Sequence, residues 1–216
     1  MKRYAIKEIY YTLQGEGAQA GRAAVFCRFA GCNLWSGLES GRQAGPGGCS
    51  TWCDTNFVGT DGPGGGTFDS AQSVAQAVRE CWEGDWTDGE PLVVCTGGEP
   101  LLQLDSQLID ALHRSGFKVA VETNGTLPLP EGLDWVCVSP KAGATLVVSS
   151  GDELKLVFPQ RGAEPERYGS LRFGHWFLQP QDGPARLENT RASVEYCRAH
   201  PRWRLSLQTH KLAGIP

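Results

Sequence analysis

Leu92-Val93-Val94-Cys95-Thr96-Gly97-Gly98-Glu99-Pro100 is a short, mostly apolar run that ends abruptly in a glycine-rich polar turn. Its first five residues show no alternation of polar and apolar positions. That fits a strand buried on both faces, as in a parallel sheet covered by helices, better than an antiparallel strand with one wet side. Working outward, further strands are expected at 2–11, 23–30, 118–122, 135–139, 154–158, 175–179 and 203–208, rich in Val, Phe, Leu and Trp and bounded by Gly, Pro or Asn. Only three helices stand out. In the first, Asp69 is expected to cap with Gln72 three residues on, and Val74, Val78, Cys81 and Trp82 recur at helical spacing. The second covers 105–115, with Leu108, Ala111 and Leu112 on one face and Gly116 at the left-handed stop. The third covers 189–198, with Val194 and Cys197 on one face. Strands alternating with few crossover helices imply an α/β fold built as a reduced, partial (β/α) barrel.

The polar motifs sit at strand ends. Thr96-Gly97-Gly98-Glu99-Pro100, Glu122-Thr123-Asn124-Gly125, Ser139-Pro140-Lys141 and Gln179-Pro180-Gln181-Asp182 each follow an expected strand. In barrels of parallel strands that carboxyl rim is where ligand sites are built. Each motif alone also reads as a turn or a strand stop, and Gly97-Gly98 also reads as a device for close packing. The run at 59–66, Gly-Thr-Asp-Gly-Pro-Gly-Gly-Gly, reads as a flexible surface connector.

The bounds set by composition agree. At 216 residues the chain is expected to form one domain, 1–216, around one sizeable core, and it contains no internal repeat. A net charge of -4 leaves no broad positive surface for a phosphate backbone, so nucleic acid is not an expected partner. The first residues mix charges among apolar positions, unlike a secretory leader or a membrane span, so a soluble, cytoplasmic protein is expected.

Of eight cysteines, Cys27, Cys81, Cys95, Cys137 and Cys197 lie in apolar strand-like or helical runs and read as packed thiols. Cys32, Cys49 and Cys53 fall together in an early loop. Three thiolates can hold a four-iron cluster and leave one iron open, whereas electron-transfer clusters usually take four. Cys27 and Cys32 with Cys49 and Cys53 also have the spacing of a structural four-cysteine zinc site, which would make the chain a binding or scaffold protein. Strand alternation weighs against that by setting Cys27 and Arg28 on opposite faces.

The three-cysteine loop, Gly97-Gly98-Glu99-Pro100 and Ser139-Pro140-Lys141 together resemble the radical S-adenosylmethionine superfamily. Within it, Leu13-Gln14-Gly15-Glu16-Gly17, Cys27-Arg28-Phe29-Ala30-Gly31-Cys32-Asn33-Leu34-Trp35, Ser206-Leu207-Gln208-Thr209-His210-Lys211 and Ile215-Pro216 are similar to the 7-carboxy-7-deazaguanine synthases of queuosine and 7-deazapurine biosynthesis. The resemblance covers nearly the whole chain. It implies a lyase that converts 6-carboxy-5,6,7,8-tetrahydropterin to 7-carboxy-7-deazaguanine by ring contraction and loss of ammonia. It further implies that Cys32, Cys49 and Cys53 ligate a [4Fe–4S] cluster and that Trp52, Cys53, Asp54, Gly98, Ser139, Pro140, Lys141, Gln179, Pro180, Gln181 and Asp182 bind S-adenosylmethionine. Leu13, Gln14, Gly15, Arg28, Thr96 and Pro216 are implied for the pterin, and Thr55 for Mg2+. An external electron donor such as flavodoxin and a homodimer are also implied.

These residue types suit such ligands. Gln14 can read a pterin edge, Arg28 can grip a carboxylate with two parallel hydrogen bonds, and a hydroxyl suits magnesium. Glu122 and His210 are candidates for proton handling, although either residue is more often a satisfied structural group.

The chain departs from the superfamily's Cys-x3-Cys-x2-Cys spacing, with gaps of sixteen and three. Doubling a loop costs only about 0.6 kcal/mol, so the long first gap is thermodynamically minor. The second gap leaves open whether Thr51 or Trp52 faces the ligand and where Cys49 sits. Within the superfamily, an activase installing a glycyl radical on a partner protein is the alternative. It would need an exposed groove for a polypeptide.

Overall fold

The computed structural model describes residues 3–42 and 48–216. Residues 43–47, within the long cysteine gap, and Lys2, at the start of the expected first strand, lie outside the described residues. Nine strands form one sheet: β1 (Tyr4–Leu13), β2 (Ala23–Phe29), β3 (Gly66–Phe68), β4 (Leu92–Gly97), β5 (Lys118–Thr123), β6 (Trp135–Val138), β7 (Ser150–Phe158), β8 (Arg172–Pro180) and β9 (Arg204–Leu205). Their order is β3-β1-β2-β4-β5-β6-β7-β8-β9. Pairing is parallel from β2 to β9, while β1 runs antiparallel to both β2 and β3. The sheet is open, a partial barrel edged by β3 and β9.

The expected 203–208 strand keeps only Arg204–Leu205. The Ser206 amide still donates to the Leu178 carbonyl of β8 at 2.9 Å, and beyond it the chain turns into a short helix, α4 (Thr209–Ala213). Trp203 packs edge-on against Trp176, and the Ser206 hydroxyl accepts a hydrogen bond from the Gly17 amide at 2.9 Å.

Helices α1 (Ala71–Cys81), α2 (Ser106–Arg114) and α3 (Arg186–Ala199) belong to the outer layer. The main core includes Ile6, Ile9, Cys27, Cys95, Val119 and Leu154 from the sheet, with Val74, Val78, Leu108 and Leu112 from α1 and α2. Three sequence expectations change here. The cap of α1 is Ser70, whose hydroxyl accepts from the Ser73 amide at 3.1 Å, while Asp69 pairs with Arg3 at 2.9 Å. In α3 it is Ser193, Tyr196 and Cys197 that turn inward, and Val194 is exposed. The 59–66 run is no loose connector: the Gly62 amide donates to the Lys7 carbonyl at 2.9 Å and the Ile9 amide to the Pro63 carbonyl at 2.7 Å.

The inner face of the sheet is graded. Early in the strands, Ala24, Leu92, Val94 and Ala120 form a small apolar cluster with Phe26 and Trp135. Later on the same strands come Arg28, Thr96, Glu122 and Cys137. Strands β2, β4, β5 and β6 therefore change from apolar to polar toward their carboxyl ends. Among the described residues no helix is long and apolar enough to cross a membrane.

Candidate functional site

A cavity of ≈ 350 Å³ opens over that polar rim. Cys32, Cys49 and Cys53 line it, together with Trp52, Asp54, Thr55, Gly98, Ser139, Lys141 and Gln179, and with Leu13, Gln14, Gly15, Arg28, Thr96 and Pro216. Pro140, Pro180, Gln181 and Asp182 do not line it. The Pro140 carbonyl accepts from Gln160 at 3.4 Å, the Gln181 carbonyl from Asn189 at 2.9 Å, and Asp182 is paired with Lys211 at 2.6 Å.

The second cysteine gap is resolved by a single helical turn. The amides of Trp52 and Cys53 both donate to the Cys49 carbonyl, at 3.0 and 2.8 Å, so Cys49 and Cys53 sit four apart on one face of the turn. Trp52 faces the cavity, whereas Thr51 points outward with its hydroxyl on the Gly48 carbonyl at 3.2 Å. Arg42 braces the turn by donating to the Ser50 and Cys53 carbonyls at 3.3 and 3.2 Å while forked onto Glu39.

No other cysteine lines this cavity, and Cys27 packs in the helix-side core. That overturns the four-cysteine zinc reading. Among the described residues no three His, Cys, Asp or Glu side chains close on a single metal ion. The three thiols instead surround a wider space. This donor set fits a cluster with an iron left open. Burial pushes the Cys32 and Cys49 thiols up, and Lys141 pulls Cys49 back. The Leu34 amide donates to the Cys32 sulfur at 3.4 Å.

Gly97 and Gly98 serve the fold directly. A Cβ on Gly97 would overlap the Phe29 carbonyl, and one on Gly98 the Gly31 carbonyl. Their absence lets the end of β4 press against the start of the cysteine loop, with the Glu99 amide donating to Gly31 at 2.9 Å. Glu99 is fully buried and ties strand ends together: it accepts from Thr123 Oγ1 at 2.7 Å, the Asn124 amide at 2.8 Å and the Leu101 amide at 2.9 Å. Burial raises its carboxyl against those donors.

The opposite wall carries a buried charge network that sequence reasoning found only in pieces. Lys155 on β7 donates to Glu16 at 2.6 Å and to Glu122 at 3.1 Å. Gln14 donates to Glu122 and Gln208 to Glu16, both at 3.0 Å. Burial alone would raise the Glu16 carboxyl, but Lys155 and Gln208 bring it down to about 2. Burial would likewise discharge Lys155, yet its acidic neighbours hold it protonated. Glu122 is marked by its place at a strand end, but Lys155 sits mid-strand in an apolar run and gives no local signal.

The chain's last segment closes the mouth. The amide and hydroxyl of Thr209 both donate to the Gly15 carbonyl at 2.9 Å, and Thr12 donates to a Pro216 oxygen at 3.0 Å. His210 packs where a side chain on Gly15 would be. Lys211 bridges Asp54 and Asp182 at 2.6 Å each.

No protein-family model matches the chain. It is 62% identical over 213 residues to the 7-carboxy-7-deazaguanine synthase of Bordetella pertussis and 60% identical to that of Caulobacter vibrioides, in each case across 99% of both chains. Identity to the protein of the same name from Burkholderia multivorans is 54%, again across 99% of both. Among solved structures it is similar to QueE from Escherichia coli, with a TM-score of 0.64 and 27% identity over 95% of this chain and 93% of that one. Identity this high along the full length of its relatives, joined to the same partial barrel, leads to one assignment: the chain belongs to the 7-carboxy-7-deazaguanine synthase family.

Proposed function

We propose that this protein converts 6-carboxy-5,6,7,8-tetrahydropterin to 7-carboxy-7-deazaguanine, with ring contraction and loss of ammonia. The observation that carries the reading is a three-thiol set, Cys32, Cys49 and Cys53, on the same cavity as Arg28, Gln14 and Glu122. Cys32, Cys49 and Cys53 would hold a [4Fe–4S] cluster, which when bound would supply the electron for cleaving S-adenosylmethionine. The chain's own residues do the rest. Trp52, Asp54, Gly98, Ser139, Lys141 and Gln179 hold the cofactor, and Asp182, with its neighbours Pro180 and Gln181 and with Pro140, shapes that end from just outside. Leu13, Gln14, Gly15, Thr96 and Pro216 orient the pterin, while Arg28 takes its carboxylate. Thr55 offers a hydroxyl to Mg2+, and Glu122 and His210 stand beside the pterin as proton carriers. Closure by 209–216 keeps bulk water and stray hydrogen donors away from the reacting atoms.

We also infer a homodimer working in the cytoplasm with an external donor such as flavodoxin, on the strength of the sequence resemblance. The glycyl-radical activase reading is set aside because the chain belongs along its full length to the 7-carboxy-7-deazaguanine synthase family. The test is anaerobic turnover. The reconstituted, reduced protein given S-adenosylmethionine, Mg2+ and the carboxylated pterin is expected to release 7-carboxy-7-deazaguanine by mass spectrometry. Formation of 5′-deoxyadenosine with no deazaguanine would reject this substrate.

A further inference from the structure

The register of β1 changes midway. Ile6 pairs with Phe29, but the next aligned pair is Glu8 with Arg28, so Lys7 is an extra residue bulged out of the ladder. The consequence is a switch of parity. Tyr4 and Ile6 face the helix-side core, and beyond the bulge it is Ile9 and Tyr11 that do so. Without the bulge, Glu8 and Tyr10 would point into that core. With it, both line the cavity beside Arg28.

There they hold one edge of its guanidinium. Arg28 Nε donates to Glu8 at 2.7 Å and Nη2 donates to the Tyr10 hydroxyl at 3.0 Å, while Tyr10 is itself fixed by stacking on Phe26. Nη1 has no hydrogen-bond partner among the described residues. A guanidinium free to rotate loses much of its advantage in gripping a carboxylate, because both parallel bonds must form in one plane.

We propose that Glu8 and Tyr10 are positioning residues for Arg28. They occupy its Nε and one Nη2 hydrogen, so that Nη1 and the other Nη2 hydrogen form a pre-aligned fork for the substrate carboxylate. This inference rests on the reading of Arg28 given above. Glu8 also carries a charge of the same sign as that carboxylate, so a positioning role and a repulsive one predict opposite results.

The experiment measures steady-state turnover of the carboxylated pterin by reconstituted holoenzyme variants, and inhibition by a pterin lacking the carboxylate. Glu8→Ala is expected to raise KM about tenfold with kcat within about twofold, and to leave inhibition by the decarboxylated pterin unchanged. Glu8→Gln keeps an acceptor for Nε and is expected to restore most of the loss. Tyr10→Phe keeps the stacked ring, offers a milder change if Glu8→Ala folds poorly, and is expected to raise KM about threefold. An unchanged or lowered KM in Glu8→Ala overturns the proposal, as does a Glu8→Gln no better than Glu8→Ala. An equal loss of affinity for both pterins also overturns it, since Glu8 would then only shape the wall. Arg28→Ala separates the two readings: if it leaves KM unchanged, the assignment of Arg28 fails, whatever Glu8 does.

Discussion

At the scale of single residues, the buried lysine is the costliest to lose. Lys155 faces Glu16 and Glu122 on the inner face, and removing it leaves two mostly buried carboxylates without their shared cation. Lys155→Met is therefore expected to destabilise the protein by about 3–5 kcal/mol, measured by urea unfolding at pH 7. The pH dependence follows from Glu16, whose folded value of about 2 lies below its ordinary 4.5. Above 4.5 the carboxylate is ionised in both states and stabilises only the folded one. That stability is lost as pH falls from 4.5 toward 2, because the unfolded chain takes up the proton first. Glu16→Gln is expected to flatten this acid-side slope, and an unchanged slope would assign it to other carboxylates. Residues at strand ends that run into turn-forming residues, such as Glu122 before Asn124-Gly125 and Lys141 after Pro140, were legible in the sequence. Glu8, Tyr10 and Lys155 were not, because each lies inside a strand and acquires its role only from register with a neighbour.

At the scale of elements, the most informative feature is the clamp on β1. The glycines at 62, 64 and 65 wrap the bulge so closely that a Cβ on Gly65 would overlap the Lys7 carbonyl and lie 2.8 Å from that of Thr60. Gly65→Ala is expected to cost about 1–3 kcal/mol in stability and to speed hydrogen exchange at the Ile9 amide, which the loop protects. Exchange as slow as in the parent would mean that the loop is not what pins the strand. The parallel strands, the first two helices and the Gly116 stop were legible because runs apolar on both faces and helical spacing are local patterns. The three-residue β3 and the Lys7 bulge were not, since a glycine-rich run looks the same whether it is free or folded along an edge. The α1 cap went to Ser70 because Ser73 completes a reciprocal pair, while Asp69 was drawn to Arg3.

Across the whole molecule, the cavity is assembled from both margins of the sheet and sealed by the segment 209–216. Lys211 joins that segment to the cysteine loop and to the end of β8 through two partly exposed ion pairs, each worth less than about 1 kcal/mol. Lys211→Ala is thus expected to leave the melting temperature nearly unchanged while accelerating hydrogen exchange across Thr209–Ala213. A large drop in melting temperature would show that the segment is part of the core and not a closure over it. The change of parity at Lys7 has a last consequence, for inherited variation. The two halves of one strand are pleated in different frames, so loss of the Lys7 codon would fuse them into one regular ladder with glutamate and tyrosine still on the chamber side, whereas a codon lost just beyond it, at Ile9, would turn Tyr10 toward oil. Substitutions along this strand are graded by the face they occupy, whereas deletions are graded by whether they fall on the bulge or beside it.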